Sequence, residues 1–256
     1  MVWRAFLFDV DGTLAETERD AHRVAFNQAF KEHNLDWYWD EMLYGKLLNV
    51  TGGKERMHHY LHEFTDIDPN QENWNDLIKQ IHKTKTDYYV SLLNEGLVPL
   101  RPGVKRLLEE ARNEGLRLAI ATTTTPDNVI ALLENSLGKH SVEWFEVIAA
   151  GDVVKAKKPA PDIYQWVLNQ MALKPNECLA LEDSENGLRA ATQAGIPTLI
   201  TVNDYTQHQD FNEALLVVSH LGEKTNPSYQ YENGEWNPIG TIDISFLQQL
   251  KKEKCI

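Results

Sequence analysis

Cysteine is nearly missing from this chain: two in 256 residues, Cys178 inside an apolar run and Cys255 beside the C-terminus. So little thiol excludes a disulfide-stapled scaffold and fits a reducing compartment, and no structural bridge is expected. Positive charge is scarce as well. The 25 Lys and Arg stand against 38 Asp and Glu, a formal net charge of −13, and no long basic run occurs. Phosphate-backbone binding needs a basic surface, so nucleic acid is excluded as the main partner. An anionic ligand would have to be met by a few cations focused in one place. No apolar run approaches the roughly 20 residues of a membrane-spanning helix. No signal or transit segment precedes the first apolar run, which follows Met1-Val2-Trp3-Arg4 directly. A cytoplasmic monomer with no membrane partner is expected.

What is present is a soluble-domain composition, 42% hydrophobic and 25% charged, enough for one core with a sizeable insertion. Residues 5–10 are almost wholly apolar, and similar runs recur at 116–121, 145–149, 178–181 and 197–202. Continuous apolar runs of this length suit strands buried on both faces of a parallel sheet. Between them lie helical patterns: Val104, Leu107, Leu108 and Ala111; Ile130 and Leu133; residues 163–168; residues 188–194. The alternation predicts an α/β fold, a doubly wound parallel sheet. Residues 16–96 break it with amphipathic helical segments, so a helical cap domain is expected there, and a core domain from 1–15 and 97–256. Trp37, Tyr38 and Trp39 are read as packing inside the cap. Residues 223–240, rich in Asn, Pro, Tyr and Gly, are read as an ordered surface excursion, and 245–254 as a closing helix.

Chemistry concentrates where the strands end. Asp9-Val10-Asp11-Gly12-Thr13 follows the first run, at the strand end where α/β proteins bind ligands. One carboxylate can attack phosphorus and form an acyl phosphate, while the other protonates the leaving oxygen and later activates water. Asp-Gly is also an ordinary turn, and Asp9 could equally cap a helix. Thr122-Thr123-Thr124 closes the next strand with hydroxyls that suit phosphate oxygens or a helix cap. Lys158, before Pro159-Ala160-Pro161, offers a fixed ammonium for a phosphoryl group, or half of a solvated lysine pair. Glu182-Asp183 ends another strand with the oxygen ligands a hard cation such as Mg²⁺ prefers, and Asp183 could instead cap the next helix. Four such features, in one order and each at a strand's carboxyl end, read together as one active site.

In that order, with a helical insertion after the first, the four motifs resemble the haloacid dehalogenase superfamily over residues 1 to about 205. The resemblance implies Asp9 as nucleophile and Asp11 as general acid/base, with Thr122 and Lys158 holding the phosphoryl group. It implies Mg²⁺ on Asp9, the main-chain carbonyl of Asp11 and Asp183, supported by Glu182, and a cap that closes over the site. A narrower likeness lies in Leu14-Ala15-Glu16-Thr17-Glu18, Val50-Thr51-Gly52-Gly53-Lys54-Glu55-Arg56, Ala149-Ala150-Gly151-Asp152 and residues 182–191. These are similar to CbbY-type proteins, phosphatases of photosynthetic organisms that destroy xylulose-1,5-bisphosphate, an inhibitor of Rubisco. Residues 223–240 depart from that pattern.

A small phosphorylated sugar is therefore the expected substrate, and for a bisphosphate the cap must hold a second anionic end. Gly52, Gly53 and Lys54 are the candidates for it, the glycines allowing close approach and Lys54 supplying charge; the spacing is not that of a P-loop. Glu18 is placed to accept from sugar hydroxyls, or to sit at a helix N-terminus. Tyr44 is a candidate pocket wall or core residue. His82 and Lys85, three apart, share a helix face and reach for the distal phosphate; Thr123 and Thr124 complete the expected contacts. His58, His59 and His62 lack a completing ligand for zinc. The competing reading is a β-phosphoglucomutase-like sugar phosphomutase, which shares the core motifs; a non-catalytic binding module would have lost Asp9, Asp11 or Asp183.

Overall fold

A computed structural model describes residues 2–68 and 73–254 of the chain. The first apolar run forms β1 (Ala5–Phe8), and the later ones form β2 (Arg117–Ala121), β3 (Val147–Ala149), β4 (Cys178–Glu182) and β5 (Thr198–Thr201). Three further strands were not expected: β6 (Leu216–Val218), β7 (Ser228–Glu232) and β8 (Glu235–Gly240). The sheet runs β3-β2-β1-β4-β5-β6-β7-β8. Its first six strands are parallel and its last two antiparallel. Residues 223–240 form an ordered and largely exposed excursion, as expected. They carry a hairpin that extends the main sheet.

Between β1 and β2 the chain is helical, as expected for this segment. A π-helical turn, Glu18–His22, leads into α1 (Arg23–Glu32), followed by α2 (Glu41–Leu47), α3 (Gly53–Phe64) and α4 (Trp74–Asn94). Phe26, Phe30, Trp37, Trp39, Tyr44, Met57 and Trp74 bury together in a core separate from that of the sheet. Tyr38 does not join them; it is 66% exposed. The long α4 belongs to both bodies, because Tyr89 and Leu93 near its end pack into the sheet's own core.

The sheet is covered on both sides, as its two-sided apolar strands require. Phe6, Phe8, Leu118, Ile120, Leu179 and Leu181 face α5 (Val104–Asn113), α6 (Pro126–Leu137) and α9 (Ile244–Glu253). Alternate positions Ala5, Leu7, Ala119, Ala121, Cys178 and Ala180 face α7 (Asp162–Met171) and α8 (Glu185–Gln193). The small residues on this second face let its helices sit close. Cys178 is a buried free thiol, and Cys255 lies outside the described residues. Among the described residues no helix is long and apolar enough to cross a membrane.

Register fixes the site. Phe8 pairs with Ile120 on one side and Leu181 on the other. The residues just beyond those positions, Asp9, Thr122 and Asp183, therefore emerge beside one another under the helical insertion.

Candidate active site

Asp9 is held from below. The ammonium of Lys158 donates to Asp9 Oδ1 at 2.6 Å, to Glu182 Oε1 at 2.6 Å and to the carbonyl of Ala121 at 2.8 Å. Lys158 and Glu182 are almost fully buried, and the Tyr164 hydroxyl also donates to Glu182. Burial pushes the Asp9 carboxyl up to about 8 despite Lys158, with Glu182 and Asp11 adding to the rise. The same forces raise Asp183 well above the usual range, burial first and then the neighbouring carboxylates. Lys158 is held charged by Asp9 and Glu182 in spite of its burial.

Asp9, Glu182 and Asp183 offer carboxylate oxygens that lie within 4.8 Å of one another, all buried. Three crowded carboxylates, with the proton affinity of Asp9 and Asp183 raised, form a donor set that fits a hard divalent cation, whose charge would reverse that elevation. Asp183 is oriented by Asn203, which donates to its Oδ2 at 2.7 Å. Gly12, at φ 82°, takes a backbone conformation that favours glycine, and a Cβ there would strike the Asp183 carboxylate.

Asp11 lives in a different environment. Its Oδ1 accepts from the Thr17 hydroxyl at 2.5 Å and faces His22 Nε2 at 2.9 Å. The ammonium of buried Lys85 meets the other ring nitrogen of His22, and the ring stacks on Tyr89 at 4.2 Å. Burial alone would push the Asp11 carboxyl up, but His22, the Thr17 hydroxyl and the nearby Lys85 charge hold it at about 2. Two carboxylates two residues apart are thus tuned in opposite directions, the pattern of divided catalytic roles.

The helical insertion walls the cleft above them. A cavity of about 110 Å³ holds Asp9, Asp11, Thr122, Thr123, Lys158 and Asp183 together with Glu18 and Arg56. It adjoins a narrower recess lined by Gly52, Gly53, His82, Lys85 and Thr124. Glu18 accepts from the Tyr44 hydroxyl, and Arg56 donates to that oxygen at 2.8 Å and lies 3.7 Å from Glu18. Burial with cationic neighbours, Lys85 foremost, depresses His82 to about 3. Asn128 donates to the Thr124 hydroxyl at 2.9 Å.

The structure therefore gathers Asp9, Asp11, Glu18, Gly52, Gly53, His82, Lys85, Thr122, Thr123, Thr124, Lys158, Glu182 and Asp183 around one connected cleft, with Tyr44 just behind its wall. Lys54 is placed differently. It lines neither part of the cleft and pairs with Asp152 at 2.6 Å on the rim, where Lys157 also holds Asp152 at 3.0 Å. Lys85 contacts His22, the ring that faces Asp11. Sequence reasoning missed Thr17 and His22; Arg56, the last residue of the Gly52-Gly53-Lys54-Glu55-Arg56 stretch, points inward and is 6% exposed. His22 lies one helical turn past Glu18, and that spacing was the available signal. Among the described residues, His58, His59 and His62 form no metal-ligand cluster.

The family described as haloacid dehalogenase-like hydrolase matches residues 3–195. The plasmid-borne protein CbbY of Cupriavidus necator is 47% identical over 234 residues, 90% of this chain and 91% of its own. A CBBY-like protein of Arabidopsis thaliana is 39% identical over 86% of this chain and 69% of its own. The crystal structure of CbbY from Rhodobacter sphaeroides in complex with phosphate superposes with a TM-score of 0.79 at 46% identity, covering 86% of this chain and 95% of that one. A mutant of that protein, crystallised with xylulose-(1,5)bisphosphate, matches with the same TM-score at 45% identity and the same coverage.

Proposed function

This chain belongs to the haloacid dehalogenase-like hydrolase family, and we propose that it is a magnesium-dependent phosphatase converting xylulose-1,5-bisphosphate to xylulose-5-phosphate and phosphate. The observation that carries the reading is the split environment of Asp9 and Asp11, one braced by Lys158 and the other by Thr17 and His22. The choice of substrate is supported by the CbbY relative crystallised with that bisphosphate. It is also supported by the buried cations Arg56 and Lys85 beyond the carboxylates, where a second phosphate would need charge.

Asp9, the main-chain carbonyl of Asp11 and Asp183 would hold Mg²⁺, with Glu182 supporting them; when bound, the ion neutralises charge on the phosphoryl oxygens. The Asp9 carboxylate attacks phosphorus, forming a P–O bond to Asp9 as the bond to the sugar oxygen breaks. Thr122 and Lys158 brace the phosphoryl oxygens. Asp11 gives its proton to the departing sugar oxygen, then takes one from the water that attacks the phospho-aspartate and frees Asp9. Without substrate Asp11 is held as the carboxylate, the form that second step requires. The charge of the arriving phosphoryl group pushes it toward the protonated form needed for the first. The segment 16–96 serves as the cap that excludes bulk water while this happens. In this reading the protein is cytoplasmic and serves the Calvin cycle by clearing a Rubisco inhibitor.

The test is phosphate release by pure protein with Mg²⁺ from xylulose-1,5-bisphosphate, ribulose-1,5-bisphosphate, β-glucose-1-phosphate and phosphoglycolate. The highest kcat/KM is expected on the first. Conversion of β-glucose-1-phosphate to glucose-6-phosphate without phosphate release would replace the phosphatase by a mutase.

A further inference from the structure

Beyond the residues that face the cleft, one buried guanidinium ties the outgoing linker to the strand ends beneath the site. The chain leaves the sheet core for the helical insertion through residues 11–17 and returns through residues 97–103. The two passages touch: Ala15 bridges Leu100, and the amide of Arg101 donates to the carbonyl of Leu14 at 2.8 Å. At that crossing Arg101 is 7% exposed. Its Nη1 donates to the carbonyl of Gly12, to the carbonyl of Thr201 at 2.9 Å and to the Thr201 hydroxyl at 3.1 Å. Its Nη2 donates to the carbonyls of Val202 at 2.5 Å and Ser219 at 2.9 Å. Its Nε pairs with Glu16 at 2.9 Å.

The pattern of acceptors is informative. Gly12, Leu14 and Glu16 alternate along the outgoing passage, and all three are held by this one residue. Gly12 follows Asp11 directly and abuts Asp183, so its carbonyl reports the placement of both. Thr201, Val202 and Ser219 sit at the ends of β5 and β6, which belong to the main sheet. An arginine needed only to fill space would not spend all its donors on one turn, one linker and two strand ends. The planar fork makes these contacts in a fixed geometry that no other side chain reproduces.

We propose that Arg101 is a positioning residue for the phosphatase reaction. It registers the Asp11–Gly12 turn against the ends of β5 and β6, and through Glu16 couples that registration to the outgoing linker of the cap. It touches neither substrate nor the reacting atoms. This inference rests on the functional reading above for its kinetic consequence, and on geometry alone for its structural one.

The test uses Arg101→Lys and Glu16→Gln in the full chain, assayed on a small aryl phosphate and by hydrogen exchange. For Arg101→Lys, kcat should fall about tenfold or more while KM stays within about twofold, because misplacement of a catalytic group affects turnover more than ground-state binding. Glu16→Gln, which leaves the buried bonds intact, should lower kcat by roughly threefold. The double variant should be no worse than Arg101→Lys, since the two act through one contact. In Arg101→Lys the amides of residues 12–17 should exchange faster while those of α3 and α8 keep their protection. A folded Arg101→Lys protein with kcat within about twofold of the parent, or additive losses in the double variant, overturns the proposal. So does faster exchange confined to residues 99–103. If Arg101→Lys does not fold, Glu16→Gln decides alone: unchanged kcat together with unchanged exchange at residues 12–17 rejects the coupling. If the parent releases phosphate from no ester, the functional reading has failed, and the exchange experiment still decides the role of Arg101.

Discussion

The ammonium of Lys85 lies 2.5 Å from Nδ1 of His22, and that contact sets what His22 can do for Asp11. Lys85 has only donors, so Nδ1 must accept, and Nε2 is left to donate to the Asp11 carboxylate. Burial lowers the Lys85 ammonium to about 8, with Asp11 and Glu18 opposing. Below that pH Lys85 is charged; as pH rises through it, the cation that supports His22 and Asp11 is lost. Turnover should therefore decline on the alkaline side of about 8. Lys85→Met should lower kcat by roughly 10- to 100-fold, the usual worth of a positioned acid/base group, and remove that decline. A pH–rate profile of the variant that keeps the alkaline limb would show that another group titrates.

The sequence made some of this readable, for a physical reason. A strand buried on both faces is a continuous apolar run, and one that stops at Asp9, Thr122 or Asp183 marks where the sheet ends and chemistry begins. β7 gave no such signal, because its Ser-Tyr-Gln-Tyr-Glu mixes polar and aromatic residues on a largely exposed hairpin. β6 is no shorter than β3, and the apolar run 214–218 around it carries the same strand signal, which the sequence reading missed. His22 was hidden because a single histidine among apolar helix positions looks like any packed residue. Its role comes from Asp11 and Lys85, eleven residues before it and 63 after. The inward turn of Arg56 depends on where α3 starts, at Gly53, a boundary that composition does not fix.

Binding of a divalent cation at Asp9, Glu182 and Asp183 should be visible without any substrate. The raised carboxyl of Asp9, at about 8, means that the metal-free fold holds a proton the unfolded chain has released at the same pH. Between the ordinary carboxyl value and about 8, stability of the metal-free protein should fall as pH rises. Mg²⁺ at a hundred times its dissociation constant should add about 2.7 kcal/mol, or roughly 5–10 °C in Tm for a chain of this size. Asp183→Asn should lose most of that increment, yet be at least as stable as the parent in EDTA, having shed one of three crowded carboxylates. Thermal melts with EDTA and with Mg²⁺ at pH 6, 7 and 8 check all three statements. A parent protein whose Tm ignores both pH and Mg²⁺ would remove the cation from this site.

Arg56 and Lys54 sit two residues apart at the start of α3 and should behave differently. Arg56 is buried against Tyr44 and Glu18 inside the cleft, whereas Lys54 pairs with exposed Asp152 at its rim. Arg56→Ala leaves Glu18 without its cation and removes charge from the deep end. It should raise KM for xylulose-1,5-bisphosphate by about tenfold or more, as loss of a buried charged partner does, and change KM for a small aryl phosphate little. Lys54→Ala should cost only severalfold, and its effect should shrink as salt is added, because exposed pairs are screened. Steady-state kinetics of both variants at low and high salt distinguish them. Equal losses on the mono- and bisphosphate would place Arg56 in the architecture of the cap and not at the second phosphate.

Gly187 tests the support beneath Asp9. It lies in α8 so close to the Glu182 carboxylate that a Cβ would fall within it. Glu182 is 1% exposed and fixed by Lys158 and Tyr164, so it has no free volume to retreat into. Gly187→Ala must therefore push Glu182 along its own bonds, and Lys158 moves with it away from Asp9. Overpacking of this kind costs about 1–3 kcal/mol, and the shift at Lys158 should lower kcat by tenfold or more, since displacement by about an ångström is enough to do so. Glu182→Asp draws the carboxylate back by one methylene. Combined with Gly187→Ala it should recover part of the lost stability, so the double variant should melt above the sum of the two single losses. Denaturant melts and kcat for the three variants give the answer. Purely additive losses would mean that Gly187 is required for the backbone of α8 and not for the space it leaves to Glu182.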